Sequence, residues 1–393
     1  MIKLVGSAFY HEKEMREKLA RFMLTTERFS FGDECKTFER AFAKWQGRKY
    51  SVLFNSGSSA NLALIQALIN LGRLKREDTV AFSAVTWSTN VMPLIQLGLN
   101  ALPLDVTEDT LNVSSAEIQR ALKRTPVKAV FLTNLLGFCD DIAVIKRVCA
   151  EAHVMLLEDN CESLGSVSSG IKLGNAGLAS TFSFFIGHHL STIEGGAVCT
   201  DDEELAVALQ IVRAHGWDRQ LDEKHQKALR AKHKIEPFYG LYTFYELGYN
   251  LRPTEITGLL GNAQIAYADE IVAKREKIFR HFAEVLYTKN DLYMPLRYEQ
   301  METASAMAFP LVCVSPEVRA RVVERANDKV EVRPMVAGSM VFQPFFSKWQ
   351  KHMIEPGMCP VAAKVHRRGF YLPIYPEMTD EDKKIIIETF SEV

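Results

Sequence analysis

The feature that most constrains this chain is an alternation of two periods along its first two hundred residues. Short β-branched, apolar runs take turns with stretches whose apolar residues recur at helical spacing. Tyr50–Phe54 (YSVLF) reads as a strand, Asn55-Ser56-Gly57-Ser58-Ser59 as a turn, and Ala60–Leu71 as a helix. Thr79–Ala84 is a second strand and Asn90–Leu97 a helix. Ala129–Thr133, Thr181–Phe185 and Ala197–Thr200 are further strands, with helix Ile142–Ala152 between the first two. Val154–Leu157 is a strand that runs into Glu158-Asp159-Asn160. Strands separated by helices need crossover connections, so the expected class is α/β with a mostly parallel central sheet.

The pattern changes after about residue 220. Leu221–Lys234 is charge-rich and reads as a surface loop or helix. Pro253–Ala283 is a long helical stretch opened by proline. Strand Ala308–Val314, helix Pro316–Ala326, strand Val330–Arg333 and a helix from Asp380 make a smaller α+β unit. The expected division is a large α/β domain over 1–250, a connecting helix over 251–285 and a small C-terminal domain over 286–393.

Composition removes several function classes. Lys and Arg number 47 against 48 Asp and Glu, a net charge of −1, which gives no general attraction to nucleic acid or to an acidic membrane. The N-terminal apolar stretch is too short for a signal peptide, and no window has the apolar length of a membrane span. A cytoplasmic location is the expectation. The cysteines at 35, 139, 149, 161, 199, 313 and 359 form no CxxC and no zinc-ribbon or ferredoxin-type spacing. They read as reduced, mostly buried thiols, and no metal site is expected.

In open α/β sheets ligands bind at the carboxyl ends of the strands, and four strand ends here carry unusual residues. Gly57 and Ser58 stand where a helix begins, a place that favours phosphate; the alternative is a plain cap formed by Ser58 or Ser59. Trp87 could stack on a planar ring or pack in the core. Asp159 and Glu162 follow a buried strand, where a carboxylate needs a partner such as a protonated pyridine nitrogen or, alternatively, structural hydrogen bonds. Ser183 lies in the next strand and His188 and His189 just past it, ahead of Glu194-Gly195-Gly196; the histidines could be metal ligands, a general base or structural, and metal is disfavoured because adjacent histidines rarely chelate one ion.

In this order the four motifs resemble the DegT/DnrJ/EryC1/StrS family of sugar aminotransferases, from Phe31-Gly32 into the C-terminal unit. The resemblance implies a fold-type I, pyridoxal-phosphate-dependent transferase acting on nucleotide-linked keto sugars. It places Gly57, Ser58 and Ser183 at the cofactor phosphate, Trp87 on the pyridine ring and Asp159 at the ring nitrogen. It places Asn250, in Gly248-Tyr249-Asn250-Leu251-Arg252, at the phosphate of a neighbouring subunit, which implies a homodimer with shared sites.

Two departures sharpen that expectation. Family aminotransferases carry the cofactor-binding lysine where this chain has His188, and glutamine beside the cofactor hydroxyl where it has Glu162. The pair His188-His189 resembles a subgroup of 3-dehydratases that make 3-deoxy sugars, and Arg213-Ala214-His215-Gly216-Trp217 agrees, with His215 either a contact to cofactor or substrate or a residue packed near Trp217. One branch of that subgroup uses an iron–sulfur cluster and a reductase; the cysteine spacing here matches the cluster-free branch, which acts on GDP-4-keto-6-deoxymannose toward colitose. The implied reaction has two halves. L-glutamate converts pyridoxal phosphate to pyridoxamine phosphate, whose amine joins the sugar's 4-keto carbon. His188 then moves the proton that lets the carbon-3 hydroxyl leave. Two other readings stay open from sequence: a nucleotide-sugar aminotransferase without the usual lysine, and a cofactor-binding protein that has lost catalysis.

Overall fold

A computed structural model describes residues 1–355 and 357–392. The alternating region forms a seven-stranded sheet from β1 (Tyr50–Phe54), β2 (Thr79–Ser83), β3 (Asn100–Leu104), β4 (Ala129–Thr133), β5 (Met155–Asp159), β8 (Ala179–Ser183) and β9 (Gly196–Thr200). Between β5 and β8 lie the short β6 (Val167–Ser168) and β7 (Ile171–Lys172). The sheet order is β1-β9-β8-β5-β4-β2-β3. β3, β2, β4, β5 and β8 are mutually parallel, and β9 lies antiparallel between β8 and β1. Six carboxyl ends therefore share one edge, and the unusual residues stand along it.

Helix Gly57–Asn70 crosses the middle of this sheet. Ala63, Leu64, Ile65, Ala67 and Leu68 are fully buried; a side chain such as Leu64 gains ~1.5–3 kcal/mol from that burial. The helix has apolar residues on nearly every face, as expected for one covered on all sides. Its cap is Ser56, extended at φ −165°, whose hydroxyl accepts from Ser59 N–H at 3.0 Å. Ser58 and Ser59 are not the cap. At Gly196 a Cβ would sit 2.3 Å from Ser56 O and 2.5 Å from Gly57 N, so only glycine lets β9 pass behind this turn.

A second sheet, ordered β10-β12-β14-β13, is antiparallel and built from β10 (Tyr293–Met294), β12 (Ala308–Cys313), β14 (Gly369–Pro373) and β13 (Arg333–Pro334). β11 (Met301–Thr303) pairs with β6 beside the first sheet. One aromatic path joins the two main sheets: Phe138 meets Phe279 at 4.8 Å and Phe279 meets Phe309 at 5.6 Å, ring to ring. This contact holds the start of β12 and the end of β14 over the carboxyl edge of the large sheet.

Several expectations need correction. The single helix expected over 253–283 is two, Glu255–Ile265 and Ala268–Leu286, broken at Ala266–Tyr267. The strand expected over 181–185 spans Ala179–Ser183, so Phe184 and Phe185 leave the sheet. The strand expected over 330–333 is only Arg333–Pro334. Residues 223–232 form a helix with no buried residue. β3 had no signal, because Pro103 and the polar Asn100 hide its alternation.

Candidate active site

A cavity of about 330 Å³ opens at the carboxyl edge, a volume suited to a small cofactor plus part of a substrate. Gly57, Ser58, Trp87, Asp159, Glu162, Ser183 and His188, all expected from sequence, line it together. Met307, Val336 and Tyr371 cover it from the second sheet.

One end is an anion cradle. The first N–H groups of helix Gly57–Asn70 have no intrahelical acceptor, and the helix dipole adds partial positive charge there. With Ser56 acting as cap, Ser58 is free for other contacts; its Oγ lies 2.8 Å from Thr89 Oγ1. A Cβ at Gly57 would fall 2.7 Å from Ser183 Cβ and 3.1 Å from Cys161 Sγ. Glycine thus lets the helix start approach the end of β8, bringing two serines and free N–H groups to one place.

Trp87 is not in the core. It stands just before helix Ser88–Gln96, 53% exposed, with its side chain at the cavity. Asp159 ends β5 and is 4% exposed. Its Oδ2 accepts from Asn61 Nδ2 at 3.0 Å and Asn90 Nδ2 at 3.3 Å, and its Oδ1 from Cys161 N–H at 3.1 Å. Among the described residues no Lys, Arg or His comes within ion-pair distance of it. A buried carboxylate oriented by amides and short of a cation suits a protonated ring nitrogen.

Glu162 is also buried, and its Oε2 accepts from Leu136 N–H at 2.8 Å. Leu136 has φ +55°, a left-handed conformation unusual for a leucine, and that turn aims its N–H at the carboxylate. Burial, with Asp159 adding to it, pushes Glu162 up to about 8, so it holds its proton at neutral pH.

His188 Nδ1 lies 2.5 Å from Cys161 O. A carbonyl only accepts, so Nδ1 carries the hydrogen and Nε2 keeps its lone pair. Burial, together with the charge of Arg275, holds the ring below the ordinary histidine value, while the Cys161 carbonyl and Asp159 oppose this. His189 points elsewhere: its Nε2 lies 2.9 Å from Ser305 O, and burial keeps it neutral.

Two expected residues lie outside the cavity. Asn250 is exposed and accepts from Arg252 Nε at 3.0 Å. His215 has φ +60° and packs edge-on against Trp217 at 4.7 Å, on a segment bridged to Asn250 through Ala214. Burial and Arg252 lower its pKa. Sequence reasoning also missed Asn61 and Asn90, the amides that aim Asp159. Asn61 sits four residues after Gly57, one helical turn into the helix, and that spacing could have pointed to it.

The parallel sheet, the anion cradle at a helix start and the amide-oriented aspartate define a pyridoxal-phosphate enzyme of the aminotransferase-like fold. The chain belongs to the DegT/DnrJ/EryC1/StrS aminotransferase family, whose model matches residues 10–391. It is 36% identical over 342 residues to the GDP-4-keto-6-deoxy-D-mannose 3-dehydratase of Yersinia pseudotuberculosis, covering 86% of this chain and 85% of that one. Among solved structures it resembles the E. coli GDP-4-keto-6-deoxy-D-mannose-3-dehydratase with bound hydrated PLP, at TM-score 0.86 and 28% identity over 99% of both chains. It is also similar to a GDP-4-keto-6-deoxymannose-3-dehydratase holding a trapped PLP–glutamate geminal diamine, at TM-score 0.84 and 29% identity, covering 99% of this chain and 100% of that one.

Proposed function

We propose that this chain is a 3-dehydratase that uses pyridoxal and pyridoxamine phosphate to convert a nucleotide-linked 4-keto-6-deoxyhexose, GDP-4-keto-6-deoxymannose, to its 3,6-dideoxy-4-keto product, with L-glutamate restoring the amine form. The observation that carries the reading is the cavity's base. No lysine is among the described residues lining it, and His188, which the resemblance puts at the family's lysine position, turns Nδ1 to a carbonyl and leaves Nε2 with its lone pair. A histidine ring forms no imine; it moves protons only.

When bound, the cofactor supplies the amine that joins the keto carbon and a ring that spreads negative charge. Gly57, Ser58 and Ser183 hold its phosphate, and Trp87 stacks on its ring. Asp159 keeps a proton on the ring nitrogen. Glu162, protonated, offers its O–H where the family's glutamine offers N–H. His188 Nε2 would take the proton that the bound amine cofactor gives up from its methylene carbon and pass it to the carbon-3 hydroxyl, which leaves as water while the electron pair of that C–H bond makes good the broken C–O bond. Proton transfer by a positioned side chain contributes roughly 10²–10⁴-fold in rate.

The working unit in this reading is a homodimer, with Asn250 and His215 reaching the partner's cavity. Support comes from their place outside their own cavity, next to an apolar run in which Phe238 is 84%, Tyr242 70% and Phe244 58% exposed. Apolar surface on that scale marks a contact between proteins. The enzyme would serve deoxysugar supply for lipopolysaccharide, colitose among them, from the cytoplasm. No helix among the described residues is long and apolar enough to cross a membrane.

The test follows both halves. Purified protein with pyridoxal phosphate and L-glutamate is monitored by absorbance for the amine form, then given GDP- and CDP-linked 4-keto-6-deoxy sugars. The expected GDP product has lost one oxygen. A product that has gained nitrogen makes the chain an aminotransferase, and failure to form the amine removes the electron source.

A further inference from the structure

Helix Ala268–Leu286 buries a stripe of Ile271, Val272, Ile278, Phe279 and Phe282, and Arg275 stands inside that stripe, only 3% exposed. A buried charge normally comes with a counter-charge. Among the described residues no carboxylate lies within ion-pair distance of Arg275; its partners are main-chain carbonyls. Nη1 donates to Ile374 O at 2.7 Å, Met307 O at 2.9 Å and Ala306 O at 3.3 Å, and Nη2 to His188 O at 3.5 Å. Burial lowers its pKa only to about 10, so the guanidinium stays charged at neutral pH.

The four carbonyls come from three places that must agree for the site to work. His188 belongs to the loop after β8. Ala306 and Met307 lead into β12, and Met307 lines the cavity. Ile374 follows β14, whose Tyr371 lines it too. His189 adds a tie to the same segment through Ser305 O. One guanidinium fork thus fastens the loop bearing the base to the sheet that roofs the cavity, and it brings a positive charge behind the imidazole.

We propose that Arg275 is a positioning residue for His188: it fixes the main chain of the catalytic loop against the second sheet and sets behind the ring a positive charge that no carboxylate among the described residues meets at ion-pair distance, Glu377 acting on it only from farther off. That charge has a use in a base that must give its proton back. An imidazolium facing a cation is less stable, so the ring is a neutral base at rest and a readier acid toward a departing hydroxyl. The other titratable groups around the ring are Asp159, Glu162, Glu194, Cys161 and Tyr371 in the cavity, with His189, Tyr10, Tyr375 and Glu377 behind it. Of these, Asp159 opposes Arg275 by favouring the charged ring.

The inference rests on the dehydratase reading, and two substitutions separate its parts. Arg275→Lys keeps the charge but loses the planar fork. Its kcat should fall by about 10²-fold, the scale of a small misplacement of a catalytic group, with KM little changed and the acid limb of the pH profile unmoved. Arg275→Gln keeps amide donors but loses the charge, and its acid limb should move up toward the ordinary histidine value of about 6.5. Wild-type kcat in the lysine variant together with a wild-type acid limb in the glutamine variant overturns the proposal. A third measurement does not depend on either variant folding. The His188 ring of the unaltered holoenzyme is titrated by NMR, its signal assigned by loss in His188→Asn. A ring mostly neutral at pH 6.5 is expected, and one half-protonated there or higher overturns the proposal. If the unaltered enzyme forms no amine cofactor with L-glutamate, the dehydratase reading fails, while the ring titration, compared between the unaltered protein and Arg275→Gln, still reports on Arg275, since burial alone also lowers the ring and only the difference belongs to the guanidinium.

Discussion

Glu162→Gln should stabilise the cofactor-free protein at neutral pH. In the fold this carboxyl is 7% exposed, meets one N–H donor and no cation, and keeps its proton up to about pH 8. In the unfolded chain it releases that proton at its ordinary 4.5. Between those values the folded state binds one proton more than the unfolded state, so stability falls as pH rises, by about 1.4 kcal/mol per pH unit. By pH 7 the accumulated loss is about 3 kcal/mol, a large part of the 5–15 kcal/mol that holds a typical domain together. Glutamine has nearly the same shape, its amide oxygen can accept from Leu136 N–H, and it ionises in neither state, so the variant escapes the loss.

The assay is urea unfolding of both cofactor-free proteins at matched concentration between pH 5 and pH 8. The gap between the two curves should widen steadily with pH and reach roughly 3 kcal/mol near pH 7. If the two proteins lose stability in parallel, Glu162 is ionised in the fold, and its role as a neutral donor to the cofactor fails with it. The same ionisation has a catalytic counterpart. Activity of the unaltered enzyme should fall as pH passes about 8, and Glu162→Gln should lack that limb.

Two further outcomes follow from the site. His188→Ala should lower turnover by roughly 10²–10⁴-fold and leave pyridoxal phosphate binding, read by absorbance titration, largely intact; a near-normal rate removes His188 from the reaction. If Asn250 completes the partner's cavity, two inactive chains, His188→Ala and Asn250→Ala, should regain activity when unfolded and refolded together, because half the dimers then hold one intact site, restoring about a quarter of all sites; no recovery would mean that each chain's cavity is complete in itself.

Much of this site was legible because parallel sheets gather their chemistry at one edge. A carboxylate such as Asp159 ending a buried strand, or a histidine such as His188 just past one, costs free energy unless partnered and so stands out in a string of letters. Where packing and chemistry allow the same residue, sequence falls silent. Ser56, Ser58 and Ser59 can each cap a helix, and only the extended backbone of Ser56 decides that it caps while Ser58 is free. Trp87 looks the same in a core or at a cavity mouth. The break at Ala266–Tyr267 interrupts a stretch of good helix formers, and its cause is tertiary: Tyr267 bonds Glu14 at 3.2 Å and packs against Tyr10.

The deepest silence concerns contacts made to the main chain. The tautomer of His188 is set by the carbonyl of Cys161, and Arg275 grips four carbonyls, so the side chains at 161, 306, 307 and 374 carry no mark of either role. Only Arg275 leaves a trace, as a charge in an apolar stripe four residues from both Ile271 and Phe279. The resemblance puts lysine at position 188 in the family's aminotransferases, and exchanging it for histidine has a physical consequence. A base held through carbonyls needs a backbone turn at the right height rather than side-chain partners. What the exchange does need is a way to keep the imidazole neutral beside Asp159, whose charge pulls it toward protonation. The buried guanidinium of Arg275 answers that pull.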